Sequence, residues 1–209
     1  MKTFALGVVK APILKPKGPQ GTRFLDLFMA SLGLILAAPI MLVVALLIKL
    51  SDKGPVLYKQ VRVGQGGKPF TIFKFRSMRL DAEQNGPALA KKDDPRTTKI
   101  GNVLRKWRLD ELPQLWNVLK GDMAMVGPRP ERQYYIDRIM DHAPNYGRLL
   151  ELKPGLTSMG IVRFGYASSV EEMIDRQRHD QYYLENRSIA LDLRILVQSV
   201  QVVLGRKGK

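Results

Sequence analysis

From Leu27 to Ile48 the chain carries no charge and is almost wholly apolar. Roughly 20 such residues suffice to cross a bilayer as a helix. A buried core helix is the competing reading, but such a helix usually keeps a polar face, so the segment is expected in a membrane. Pro39 lies near its middle, where it removes a backbone hydrogen bond and kinks a helix. Both flanks are cationic, with Lys10, Lys15, Lys17 and Arg23 before and Lys49, Lys53, Lys59 and Arg62 after. Lys and Arg mark the cytoplasmic side of a membrane segment. The pattern therefore favours a re-entrant helix–break–helix over a simple span, with Ser31 or neighbouring helices satisfying the freed carbonyls.

Past Gly54-Pro55 the apolar period changes. Val56 to Val63 and Phe70 to Phe75, around Gly64-Gln65-Gly66-Gly67, predict a β-hairpin. Alternation in the second strand puts Lys74 and Arg76 on one face. Such a pair suits phosphate, although cations also protect solvated edge strands. Asp81 to Thr98 is polar and turn-rich and predicts a long loop of the kind that binds ligands. Ile100, Val103, Leu104 and Trp107, then Leu112, Leu115, Trp116 and Leu119, follow helical spacing, with Gly121 as a stop. Gly127 to Pro130 reads as a rigid bend, Glu131 to His142 as a helix and Pro154 to Thr157 as a turn. Ser169 to Asn186 predicts a helix with a Ser169/Glu172 capping box. Leu193, Leu196, Val197, Val200, Val203 and Leu204 predict a last helix, ending in Arg206, Lys207 and Lys209. It either lies on a membrane surface or packs on the domain. The expected fold is α+β: a basic mobile arm (1–22), a re-entrant membrane hairpin helix (23–50), a mainly helical cytoplasmic domain with a small β-hairpin (51–204) and a basic tail (205–209).

Net charge changes the picture. The 209 residues carry +15 and a pI near 10.1, which calls for anionic partners. The absence of cysteine excludes disulfides and thiolate metal sites, and two histidines are too few for a histidine cluster. Candidate chemistry sits at Asp110 and Glu111, which follow Arg105, Lys106 and Arg108. On a regular helix neighbouring residues point about 100° apart, but at a helix N-terminus both acids can serve one site. A carboxylate there can ligate Mg²⁺ or attack phosphorus; the plain alternative is an acid pair that only stabilises the helix dipole. Arg129, held in Gly127-Pro128-Arg129-Pro130, adds a cation on a fixed backbone.

The run from Leu109 to Met123, followed by Val126 to Pro130, resembles the bacterial sugar transferase family, the monotopic phosphoglycosyl transferases. The likeness extends through Lys74 to Met78, Asp94-Pro95-Arg96, Lys153 to Thr157, Asp180 to Tyr183 and Leu191 to Leu193, and covers about Arg23 to Leu204. The resemblance implies transfer of a sugar-1-phosphate from a UDP-sugar to undecaprenyl phosphate with release of UMP. This would be the first membrane step of exopolysaccharide, capsule, O-antigen or glycoprotein glycan synthesis. It implies a ping-pong mechanism with Asp110 as nucleophile, Glu111 as its partner and Mg²⁺ held by both. Lys74 and Arg129 match positions associated with phosphate binding, to which the strand face and the helical spacing add Arg76 and Arg105 as candidates, and Pro39 would mark the membrane break. It further implies a small member on the cytoplasmic face of the inner membrane, both termini cytoplasmic, in contact with anionic lipids. Two features depart from the family pattern. Ala38 stands where Ser often precedes the proline, and the loop from Ser158 to Tyr166 replaces a Gly-Gln-Val-Asn-Gly-Arg pattern. Arg163 is expected to take over the cationic role there. The sugar and the oligomeric state are not legible. The other function class compatible with the charge is a non-catalytic basic protein that binds membrane or nucleic acid, although no nucleic-acid module is recognised.

Overall fold

The computed structural model describes residues 22–51, 54–84, 86–91 and 93–205, so most of the basic arm and tail lies outside it. Helix α1, Thr22–Ser51, is 30 residues long and continues through Pro39. Two helices around a break were predicted. Proline's fixed φ suits a helix, and its cost is one backbone hydrogen bond and a local clash, so the helical assignment is not interrupted. The buried residues of α1 are Asp26, Ala30, Ala37, Val44 and Ile48, which recur in steps of four and seven. That spacing is a single helical stripe, and Gly33 on the same stripe lies against Leu115. Phe24, Ile35, Leu36, Leu42, Val43 and Leu50 are among the large apolar side chains left exposed. One face thus packs on the domain and the remainder is bare hydrocarbon surface of the sort a membrane covers.

Both ends of α1 are fastened. Arg23 donates from Nη1 to the Val118 carbonyl at 2.7 Å and from Nη2 to that of Leu119 at 2.9 Å. Asp26 Oδ1 accepts the Met125 amide at 2.8 Å. At the other end Val44 and Ile48 pack with Phe75 and Leu104.

The predicted hairpin is present. Strands β1 (Leu57–Val63) and β2 (Pro69–Phe75) pair antiparallel from Leu57↔Phe75 to Val63↔Pro69. Helix α2, Lys99–Lys106, starts at Thr98, whose side chain accepts the Gly101 amide. Helix α3, Gln114–Lys120, ends at Gly121, whose φ of 92° only glycine adopts without strain. Buried Asn117 joins α3 to the hairpin: it donates to the Thr71 carbonyl at 2.7 Å and accepts the Phe73 amide at 3.1 Å.

Strand β3, Ala124–Val126, leads to helix α4, Gln133–His142. Strand β4, Gly155–Thr157, then pairs parallel with β3. A turn was predicted at Pro154 to Thr157; the segment is extended because it pairs with a strand about 30 residues earlier, where Gly155 and Gly127 meet backbone to backbone. Helices α5 (Met159–Arg163), α6 (Val170–Glu185) and α7 (Ile189–Leu204) complete the chain. The α6 cap is as predicted, with Ser169 Oγ accepting the Glu172 amide and Glu172 reaching back to the Ser168 amide. Helix α7 packs on the domain, the second of the two readings of the tail. Asp192 and Ile195 face inward, while Ile189, Leu193, Val197, Val200 and Leu204 form an exposed apolar stripe. The α+β expectation holds: the described residues are mainly helical, with two two-stranded sheets.

Candidate active site

The acid pair occupies the junction between α2 and α3. Arg108 adopts a left-handed conformation, φ 55° and ψ 22°, and ends the helical path. Leu109–Glu111 then form a single 3-10 turn before Pro113 and α3. The acids were predicted at a helix start; the reversal at Arg108 places them in a tighter turn. Both nonetheless line one cleft of about 270 Å³. Lys74, Arg76, Arg105 and Arg129 line it too. Arg163 does not join them; it is the exposed last residue of α5.

The two carboxylates have different surroundings. Glu111 lies 3.1 Å from Lys74 Nζ, 3.2 Å from Arg129 Nη2 and 3.7 Å from Arg108 Nη1. Burial opposes its charge, but Lys74, Arg129 and Arg108 outweigh burial and hold its carboxyl well below the ordinary range. Burial first, and then the charge of Glu111, push Asp110 up to about 6 against the pull of Lys74, Arg105 and Arg129. Glu111 is committed to its cations, while Asp110 carries the less compensated charge. Two adjacent carboxylates suit a hard oxygen-seeking cation, and Mg²⁺ commonly takes only one or two from the protein. Among the described residues no cluster of three or more acids, histidines or cysteines offers an alternative metal site.

Two site features escaped the sequence reading. Arg108 was placed near Asp110 but not given a role; it contacts Glu111 directly. Tyr166 was passed over in favour of Arg163 in the same loop. Its ring lines the cleft, 4.6 Å from the Arg108 guanidinium and 5.0 Å from that of Arg129. The only signal for it was an aromatic residue beside a glycine in a polar loop.

A second layer fixes the loop that carries Arg129. Glu131 is buried between Arg176 at 2.6 Å and Arg62 at 3.3 Å, and its carbonyl accepts the Val63 amide. The polar loop predicted as a binding loop does border the cleft through Glu83, Ala88, Leu89 and Ala90. It is braced by Asp94 and Arg96, 2.6 Å apart, with Arg96 also donating to the Leu89 carbonyl. Other motif residues serve the frame. Asp180 accepts the Gly160 amide at 2.7 Å, and Tyr183 donates to Asp192 at 2.6 Å.

Comparison with known proteins shows the family. Residues 19–206 match the family described as bacterial sugar transferase. The chain is 41% identical over 182 residues to the UDP-N-acetylgalactosamine-undecaprenyl-phosphate N-acetylgalactosaminephosphotransferase of Aeromonas hydrophila, covering 87% of this chain and 43% of that protein. It is 40% identical over 200 residues to the UDP-glucose:undecaprenyl-phosphate glucose-1-phosphate transferase of Caulobacter vibrioides, covering 91% and 75%. It is also 40% identical over 194 residues to the exopolysaccharide production protein PSS of Rhizobium leguminosarum bv. phaseoli, covering 88% and 95%. The chain therefore spans less than half the length of the first relative and most of the other two.

Proposed function

The chain belongs to the bacterial sugar transferase family, and from that premise we propose that it transfers a sugar-1-phosphate from a UDP-sugar to undecaprenyl phosphate, releasing UMP. The observation that carries this reading is the buried pair Asp110–Glu111 in one cleft with Lys74, Arg105 and Arg129. A phosphoanhydride needs cations along its oxygens and a nucleophile in line with phosphorus. The cations Lys74, Arg129 and Arg108 act mainly on Glu111, which leaves Asp110 the more basic carboxylate of the pair. Its carboxylate attacks the phosphorus that bears the sugar; the bond to the bridging oxygen breaks and UMP departs. A phosphate oxygen of the lipid acceptor then attacks the same phosphorus, and the Asp110 carboxylate leaves.

Glu111 keeps Lys74, Arg108 and Arg129 gathered at the place where the diphosphate lies. Lys74 and Arg129 both donate charge-assisted hydrogen bonds to Glu111 Oε1. Asp110 and Glu111 would hold Mg²⁺, which supplies neutralisation of diphosphate charge when bound.

The acceptor is a lipid, and α1 gives a reason for it to meet the cleft. Its exposed apolar face and its cationic flanks support a re-entrant segment that keeps both ends on the cytoplasmic face of the inner membrane. The exposed stripe of α7 supports contact with an anionic lipid surface. The relatives' names specify different sugars, so a panel of UDP-sugars with undecaprenyl phosphate and Mg²⁺, scored by UMP release, is the test. One sugar should release UMP in proportion to lipid product. Salt-sensitive binding without UMP release from any donor would favour the non-catalytic basic binder instead.

A further inference from the structure

Arg108 is held in an unfavourable place. Its left-handed backbone is costly for a residue with a side chain, and such conformations persist when the surroundings over-determine them. Its Nε is buried without a hydrogen-bond acceptor among the described residues. Its backbone is hydrogen-bonded on both sides, amide to the Arg105 carbonyl and carbonyl to the Glu111 amide, and its guanidinium meets the Glu111 carboxylate at 3.7 Å and the ring of Tyr166 at 4.6 Å. Arg129 repeats the pattern, with Glu111 at 3.2 Å and the same ring at 5.0 Å. One aromatic ring and one carboxylate thus share two guanidinium groups.

We propose that Tyr166 is a positioning residue for the transfer reaction, its ring holding Arg108 and Arg129 together on Glu111 so that the dyad and its cations meet the substrate phosphates in fixed geometry. The inference rests on the transferase reading above. A ring face attracts a cation through its quadrupole, and the attraction grows where water is excluded. The ring offers no competing anion, so the guanidinium donors stay directed to Glu111 and to phosphate. By displacing water it also strengthens the attraction of both guanidinium groups to Glu111, which offsets their mutual repulsion. Burial, and then the charge of Glu111, push the Tyr166 hydroxyl up to about 12, so the side chain stays neutral at working pH. Gly165 precedes it with φ 97°, a conformation suited to glycine, and this turn delivers the ring to the cleft.

The experiment uses the full chain in nanodiscs with Tyr166→Leu and Tyr166→Phe. Leu removes the π face and Phe keeps it. Turnover is followed by UMP release at varied UDP-sugar. Separately, phenylglyoxal modification of Arg108 and Arg129 is read by peptide mass spectrometry without substrate. Tyr166→Leu should lower kcat by about tenfold, the scale of a buried cation–π contact, with a much smaller change in KM. It should also raise modification of both arginines several-fold. Tyr166→Phe should restore most of the turnover and the protection. If Tyr166→Leu does not fold, Tyr166→Met, whose unbranched flexible side chain adapts to the gap without supplying a π face, replaces it in both measurements. Wild-type turnover and protection in the Leu variant would overturn the proposal. So would a Phe variant as impaired as Leu, because the hydroxyl would then be the acting group. If the wild type releases no UMP from any donor while the arginine protection follows the ring, the ring's hold on the two arginines stands and the transferase reading fails.

Discussion

Glu111→Gln isolates the electrostatic logic of the cleft. The substitution keeps shape and one acceptor but removes the charge that three cations share, at 3.1, 3.2 and 3.7 Å. The side chains involved are 7% exposed for Glu111 and 16%, 16% and 11% for Lys74, Arg129 and Arg108, so solvent compensates little. Removing one partner of a buried ion pair typically costs about 3–5 kcal/mol. The retained amide oxygen puts this case near the lower end, about 3 kcal/mol. For a chain of this size each kcal/mol moves the melting temperature by about 2–4 °C, so a fall of about 6–12 °C is expected. The assay is thermal unfolding in nanodiscs with EDTA, with and without UDP. Because the diphosphate returns negative charge to the stranded cations, UDP should raise the variant's melting temperature more than the wild type's. A fall below about 2 °C, or an equal response to UDP, would show that the cations do not depend on Glu111.

Asp110→Asn should have the opposite sign. Its carboxyl is raised from about 3.8 unfolded to about 6 folded, so ionising it opposes folding above pH 6, and that cost disappears as pH falls through 6 towards 4. In EDTA the Asn variant should therefore melt higher than wild type at pH 7.5, by up to ~3 kcal/mol in stability, with the gap closing near pH 4; a gap independent of pH would refute the assignment. Gly155→Ala should abolish stable folding, seen as loss of the cooperative melt, because a Cβ there falls on the Gly127 backbone where β3 and β4 meet. A normal melt would mean the two strands can separate. The chain has no cysteine, so single cysteines at Thr22 and Ser51 report topology cleanly. Both should react with an impermeant maleimide only from the cytoplasmic side, and labelling from opposite sides would require a spanning helix.

Much of the frame was legible because it is local. The period-two runs around Gly64 to Gly67 specify a hairpin by themselves, and Ser169 with Glu172 specifies a helix start. The apolar run of α1 was equally plain, but not that one of its stripes is buried, since that depends on Leu115 and Phe75 far along the chain. Strands β3 and β4 have three residues each, too few for alternation to register, and their pairing is set by contact between Gly127 and Gly155. At the site, Lys74, Arg76, Arg105 and Arg129 line the cleft; Lys74 and Arg129 were legible as candidates through the family resemblance, Arg76 from strand alternation and Arg105 from its helical spacing to Asp110. Arg163 and Tyr166 could not be told apart from sequence, because which of two residues in one loop turns inward follows from the backbone at Gly165. The turn at Asp110–Glu111 was misjudged for a similar reason: a left-handed arginine is a tertiary outcome, held by Glu111 and Tyr166 rather than by its own propensity.

The central claim is that Asp110 carries the phosphosugar between donor and acceptor. Incubating the protein with its UDP-sugar and Mg²⁺ in the absence of lipid acceptor, then quenching with acid and measuring intact and peptide masses, tests it directly. A mass increase of one sugar phosphate is expected on the peptide containing Asp110. It should be absent in Asp110→Asn and lost from the wild type when undecaprenyl phosphate is added. An adduct on another residue, or normal turnover by Asp110→Asn, would contradict the account.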